Sequence, residues 1–272
     1  MKSPRPYLIP PIARWLGTQR IDLDECDSTN DEAARLARAG ANHGTIVIAD
    51  AQRAGRGRNG RVWASPRGAG LYLSAVLRLP LPLVDVPPMT LAIGIGLCDA
   101  VRAAGAHAVL KWPNDALVGG KKLAGVLVEA QSQGARLEAV VIGIGVNICG
   151  ELPEDVSDSA ITLEQAASAP IDREAFIATL LAQVERWVDR YVAMGLPEII
   201  PAWQERMAAG LVARSADLVG EVAGLDHDGA LLLRDELGTL HRVRSGDVVV
   251  DRPARAHPRA GTGPGDVLRP PV

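Results

Sequence analysis

Ten residues, Gln52-Arg53-Ala54-Gly55-Arg56-Gly57-Arg58-Asn59-Gly60-Arg61, interleave four guanidiniums with three glycines. Glycine lets a backbone close around a ligand, and guanidinium forks match the oxygen pairs of carboxylate and phosphate. The stretch satisfies G-x-G-x-x-G, but a dinucleotide fold would set a helix behind it and an acidic residue about 20 positions on. Here Val62-Trp63-Ala64-Ser65-Pro66 follows, and the next acidic residue is Asp85. With Val62 the stretch also fits a kinase glycine loop, yet the chain has neither H-R-D nor D-F-G. An anion clamp remains. Its alternate guanidiniums are expected to converge on one anion, in a loop that like-charge repulsion keeps mobile until that anion binds.

A second cluster is made of ammoniums. The chain has 25 Arg but only 4 Lys, and three of those (Lys111, Lys121, Lys122) fall in one short window. Lysine offers a mobile point charge where arginine offers a rigid fork. Lys111-Trp112-Pro113-Asn114-Asp115 precedes Lys121-Lys122-Leu123-Ala124-Gly125, with Gly119-Gly120 as a hairpin turn between them. That arrangement gathers ammoniums, one amide and the Asp115 carboxylate in a small area. Asp115 could hold a magnesium ion or orient a ligand hydroxyl. Asn147, in Gly143-Ile144-Gly145-Val146-Asn147, closes an apolar strand.

The elements that position these residues are legible from periodicity and punctuation. A Pro-rich arm covers residues 1–20, then a strand over Arg20–Glu25. Asp27-Ser28-Thr29-Asn30 are all N-cap types, with Asp31 and Glu32 in the first turn of a helix that stops at Gly40. Strands are predicted over Thr45–Ala49, Leu71–Leu79, Ala108–Lys111, Ala116–Val118, Leu123–Glu129 and Glu138–Ile148. Helices are predicted over Thr90–Ala104, Ile161–Ala167, Arg173–Met194 and Pro197–Met207. Short strand-like runs between Val212 and Val250, separated by turn residues, read as a small β barrel. After Asp251 the chain is Pro, Arg, Gly and Ala, which predicts a disordered tail over 252–272.

Taken together, STN at 28–30, QRAGRGRNGR at 52–61, KWPND at 111–115, KKLAGVLVE at 121–129 and GIGVN at 143–147 resemble biotin–protein ligase. The resemblance spans about residues 20–250. It implies an α+β fold: a mixed-sheet catalytic domain with flanking helices, of class II synthetase-like type (21–210), and a small SH3-like β barrel (211–251). It also implies a two-step reaction. Biotin and ATP give biotinyl-5′-AMP, and biotin then passes to a lysine of a biotin carboxyl carrier protein. By resemblance, Ser28, Thr29, Asn30, Gln52, Arg56 and Lys122, with backbone at Gly55, Gly125 and Gly143, match biotin-pocket positions. Arg58 and Arg61 close over the adenylate, and Trp63 matches the place where an aromatic packs on adenine. Lys111, Asn114, Asp115 and Asn147 match the nucleotide and magnesium side. Lys122, Arg58, Lys111 and Asp115 are the catalytic candidates. Mg2+ is expected mainly on ATP, with Asp115 as a candidate ligand. The same fold serves lipoate–protein ligases, and a non-catalytic biotin sensor is the alternative from another class.

Composition narrows the partners. The net charge is −3 and apolar residues make up 47%, which describes a soluble protein and argues against a general nucleic-acid coat. The few residues before Ser28, with Pro4, Pro6, Pro10 and Pro11 among them, leave no room for a winged helix-turn-helix, so no DNA partner is expected. No apolar run of the roughly 18 residues that cross a bilayer is read, so no membrane partner is expected. Three scattered cysteines fit a reducing cytoplasm and core packing. Monomer and homodimer stay open.

Overall fold

The computed structural model describes residues 12–154, 156–207, 212–215, 218–244, 246 and 248–251. The predicted tail after Asp251 and most of the Pro-rich arm lie outside the described residues. Seven strands form one mixed sheet: β1 (Arg20–Leu23), β2 (Thr45–Ala49), β3 (Gly70–Leu77), β4 (Val109–Lys111), β5 (Asp115–Val118), β6 (Lys121–Gln133) and β7 (Arg136–Asn147). Their order is β1-β2-β3-β7-β6-β5-β4. Only β1 and β2 run parallel; every other pair is antiparallel.

The two faces of the sheet do different work. Ile142, Ile144 and Val146 of β7 join the large core with helices α2 (Met89–Ala103) and α4 (Arg173–Met194). The alternate residues Ala139 and Val141 meet the small apolar face of α1 (Thr29–Arg38), namely Ala33, Ala34 and Ala37. Short side chains bring α1 close to the sheet at one end and leave the remainder of that face open. α2 and α4 pack closely at Gly96, where a Cβ would fall 2.8 Å from Val184 Cα. Asp172 caps α4 by accepting from Ala175 N at 3.0 Å. A capping box at Thr162 and Gln165 starts α3 (Leu163–Ala167) two residues later than expected. α5 (Leu196–Gln204) follows α4 directly across Gly195.

Several expectations need correction. β1 ends at Leu23, β3 stops before Leu79-Pro80, and β6 and β7 outrun their predicted lengths to meet in a hairpin. Paired edges, not hydropathy, set those ends. Ser28 holds the N-cap position of α1, yet its hydroxyl makes no cap bond. The segment Leu83–Ala103 is long and apolar enough to cross a membrane, contrary to the sequence reading, but 67% of its apolar window is buried as a core element.

The C-terminal runs form a five-stranded antiparallel sheet, compatible with the expected barrel: β8 (Val212–Ser215), β9 (Leu218–Leu225), β10 (Leu231–Arg234), β11 (Leu240–Val243) and β12 (Val249–Asp251). Its order is β11-β10-β9-β8-β12. Its apolar residues Ala213, Leu225, Leu231 and Leu233 belong to the same buried cluster as α2 and α4. Trp112 Nε1 donates to Gly229 O at 3.0 Å, and Leu225 N donates to Gln204 Oε1 at 2.9 Å.

Candidate active site

The open part of the sheet is floored by backbone. Cross-strand register lines up Ala49, Tyr72, Gly145, Gly125, Asp115 and Lys111 in one row over six strands. The next row is Val47, Ser74, Gly143 and Leu127. Residues opposite one another in a sheet share a face, so the glycines leave a bare strip beneath the cavity. A Cβ on Gly145 would lie 2.6 Å from the Trp63 ring, and one on Gly125 would lie 3.3 Å from it. A Cβ on Gly143 would lie 2.1 Å from Asn30 Oδ1. The glycines are therefore what allow Trp63 and Asn30 to lie against the strands.

One end of the strip is polar and neutral. Thr29, Asn30 and Ser74 are buried here, with Gln52 beside them. Thr29 N donates to Gln52 Oε1 at 2.8 Å, and Gln52 Nε2 donates to Ser65 Oγ at 2.7 Å. Ser74 Oγ lies 2.6 Å from Asn30 Oδ1 and 2.8 Å from Thr29 Oγ1. The opposite end is charged. Asp115 faces Lys122 Nζ at 2.7 Å and Lys111 Nζ at 3.7 Å. Both carboxylate oxygens thus look toward ammoniums. Among the described residues no group of three or more His, Cys, Asp or Glu could hold a metal ion. Asp115 serves as counter-ion to the two lysines.

Lys122 is fixed by its main chain as well. Its N donates to Ser159 O at 2.8 Å and its O accepts from Ile161 N at 3.0 Å. Asn147 Nδ2 reaches the carbonyls of Lys122 and Ile161 at 3.5 and 3.4 Å. This brace holds the segment after β7 as a wall of the cavity, with Leu152, Pro153 and Val156. Lys121 points elsewhere, its Nζ 3.4 Å from Ser157 O.

The arginine stretch is a hairpin. Arg56 pairs with Val62, Gly57 N donates to Arg61 O at 2.7 Å, and Arg61 N donates to Arg58 O at 3.1 Å. Its tip is Asn59-Gly60, with φ of 54° and 73°, the left-handed pair that a type I′ turn requires. Arg56, Arg58 and Arg61 all line the cavity. Arg53 is paired with Glu25 and Asp27, and Arg56 with Asp31 and Glu129. Arg58 reaches Asn114 Oδ1 at 3.4 Å, and Arg61 lines the cavity. Nearby carboxylates neutralise Arg53 and Arg56, which lowers the repulsion within the loop.

Trp63 lies on the glycine strip with Lys122 Nζ 5.2 Å from its ring centroid. Its indole Nε1 is buried and has no hydrogen-bond partner among the described residues. The cavity brings together Ser28, Thr29, Asn30, Gln52, Arg56, Arg58, Arg61, Trp63, Asn114, Asp115, Lys122, Gly125, Gly143 and Asn147. Gly55 stands behind the wall, where its O accepts from Trp63 N at 2.8 Å and a Cβ would lie 2.4 Å from Trp63 O. Lys111 stands behind Asp115. Burial pushes the Cys26 and Cys98 thiols up to about 11, which leaves them inert core residues. The sequence reading missed Gly145, Ser74, Ser65 and Glu129. Period-two alternation from Gly143 would have found Gly145.

Residues 24–147 match the model of the biotin/lipoate A/B protein ligase family. The chain is 36% identical over 242 residues to the bifunctional ligase/repressor BirA of Bacillus spizizenii, covering 86% of this chain and 74% of that protein. It is 33% identical over 255 residues to the biotin–[acetyl-CoA-carboxylase] ligase of Mycobacterium tuberculosis, covering 88% and 91%. Among solved structures, the biotin protein ligase from Aquifex aeolicus in complex with biotin and ATP superposes with a TM-score of 0.74. It is 28% identical and covers 86% of this chain and 99% of that one.

Proposed function

The chain belongs to the biotin/lipoate A/B protein ligase family, and from that premise we infer how its site carries out protein biotinylation. The enzyme is a biotin–protein ligase. A biotin carboxylate oxygen attacks the α-phosphorus of ATP, and pyrophosphate leaves. The ε-amine of a carrier lysine then attacks the acyl carbon of biotinyl-5′-AMP, and AMP leaves. Catalytic and small β units are assigned to 21–210 and 211–251.

The observation that carries the residue assignment is the polarity of the glycine strip. A neutral hydrogen-bonding head at Thr29, Asn30, Gln52 and Ser74 suits a cyclic urea. The ammonium end at Lys111 and Lys122 suits the place where two anions react. In this reading the acid tail lies along Gly125 and Gly145, with its carboxylate toward Lys122. Lys122 exchanges its Asp115 partner for the carboxylate and α-phosphate, and Asp115 orients both ammoniums. Arg58 and Arg61 descend from the hairpin onto the phosphate, and Trp63 gives its face to adenine. The cavity holds about 250 Å³, below the roughly 300–1,000 Å³ of pockets for drug-sized ligands. Trp63 lies against Gly125 and Gly145, where the acid tail is placed, so loading requires the Arg58–Trp63 segment to move. A closed hairpin afterwards keeps water from a mixed anhydride.

Mg2+ reaches this site mainly on the triphosphate, since Asp115, the carboxylate at the ammonium end, already faces two ammoniums. The acceptor is the biotin carboxyl carrier domain of acetyl-CoA carboxylase. The cytoplasm is the proposed compartment, which the three free thiols support. The test is incubation with ATP, Mg2+, biotin and a carrier domain, read by streptavidin blot. Labelling of the carrier lysine is expected. Modification with lipoate and none with biotin would refute the assignment.

A further inference from the structure

Glu129 is the carboxylate at the site that no step above uses. It stands on β6 one row beyond Leu127, Gly143 and Ser74. Asn30 Nδ2 donates to its Oε2 at 2.8 Å, and Arg56 Nη2 donates to the same oxygen at 2.6 Å. A carboxylate anion only accepts, so the Asn30 amide can face it only through its NH2 group. That fixes Asn30 Oδ1 on the other side, 2.6 Å from Ser74 Oγ. An amide oxygen donates nothing, so the Ser74 proton is committed to it. Ser74 Oγ then meets Thr29 Oγ1, 2.8 Å away, with a lone pair, so Thr29 receives no proton from it and donates its own to Ser74 Oγ or to a second acceptor, Gln52 Oε1, 3.1 Å away. Gln52 Oε1 also accepts from Thr29 N, with Gln52 Nε2 engaged at Ser65. Thr29 Oγ1 is left with lone pairs for whatever occupies the cavity that it lines.

We propose that Glu129 is a specificity-determining positioning residue, orienting the relay Glu129–Asn30–Ser74–Thr29 so that the Thr29 hydroxyl meets the ligand as an acceptor. Such a head reads a ring N–H. It suits a cyclic urea and penalises a ring without an N–H donor, because the oriented acceptor would stay unpaired. Thr29, Asn30 and Ser74 are 4%, 5% and 0% exposed, so water cannot make good the loss. Arg56 supplies the counter-charge. The proposal deepens the ligase reading and rests on it.

The test is steady-state pyrophosphate release by the full chain, with biotin and with its two N-methyl ureido isomers, for wild type, Glu129→Leu, Glu129→Asp and Thr29→Val. In Glu129→Leu the relay loses its direction. The KM for biotin should rise about tenfold, and the preference for biotin over the N-methyl isomer should fall about tenfold, since a hydrogen-bonding site rejects an analogue only while its own group is oriented. The kcat and the KM for ATP should stay within about twofold, and Glu129→Asp should restore part of the preference. Glu129→Leu placed on Thr29→Val should change selectivity no further, because the relay then ends on a methyl group. A wild-type preference in Glu129→Leu, or equal losses in the ATP and biotin parameters, would overturn the proposal. A wild-type enzyme that releases no pyrophosphate with biotin would overturn the ligase reading first, and the relay with it.

Discussion

Lys122 is positioned three times over: through its own N and O on the segment 159–161, through Asp115 at its ammonium, and over the face of Trp63. A charge held so closely is suited to a transition state and not merely to attracting anions. Lys122→Ala should lower biotin-dependent pyrophosphate release by about 10²–10³-fold, the loss seen when one preorganised electrostatic group is removed. Lys122→Arg should not restore it, because a planar fork cannot follow a group that moves during reaction. Release within a few-fold of wild type in either variant would contradict this role. At this scale the sequence was informative where side-chain type was unusual. Lysine is rare in this chain, so Lys111 and Lys122 stood out, and strand alternation separates Lys122 from Lys121. Glu129 and Ser74 were not legible, because a carboxylate near a strand end and a hydroxyl in an apolar run have ordinary solvated or packing explanations. Only register across β3, β7 and β6 brings them to Asn30.

At the scale of elements, the floor of the cavity depends on the absence of side chains from two neighbouring strands. Gly145→Ala would place a methyl 2.6 Å from the Trp63 ring. The strand itself tolerates alanine, so the fold should persist. Trp63 should be lifted from the floor, lowering kcat/KM for biotin at least about tenfold while the melting temperature moves by only a few degrees. Activity near wild type would show that the indole has another seat. A different element joint governs acid stability. Burial pushes the Glu185 carboxyl up, but the backbone N–H groups of Leu16, Trp15 and Arg14 outweigh it, so the group sits below its ordinary value of 4.5. A depressed carboxylate stabilises the folded state above the unfolded value, and that contribution is lost as pH falls through the folded one. Glu185→Gln should therefore be less stable than wild type at neutral pH, with the gap closing below about pH 4.5. Urea melts across pH would check it, and a gap independent of pH would exclude the linkage. The hairpins around this core were readable from Gly119-Gly120 and from Asn59-Gly60. Yet the arginine stretch invited a phosphate-loop reading because its glycines are more conspicuous than its turn. The ion-pair partners of Arg53 and Arg56, namely Glu25, Asp27, Asp31 and Glu129, were not legible because they come from other elements.

For the whole molecule, composition and texture gave the two sheets and their rough extents, but not how they join. Trp112 sits between Lys111 and the Asn114-Asp115 turn, and its indole bonds to Gly229 in the turn between β9 and β10. The same buried cluster runs through both sheets. Unfolding should therefore follow one cooperative transition, and Trp112→Phe should cost about 1–3 kcal/mol, since it leaves the buried Gly229 carbonyl without its donor. Two resolved transitions in calorimetry would show instead that the sheets melt independently. The glycine strip has a further consequence for drug resistance. An inhibitor that displaces Trp63 and rests on Gly125 and Gly145 would meet a floor of main chain, and no floor side chain can be exchanged to weaken it. Any substitution that adds a side chain at Gly145 would also evict Trp63. Escape mutations should therefore arise on the Arg56–Val62 hairpin or on the wall around Pro153 and Val156, where a changed side chain does not disturb the floor.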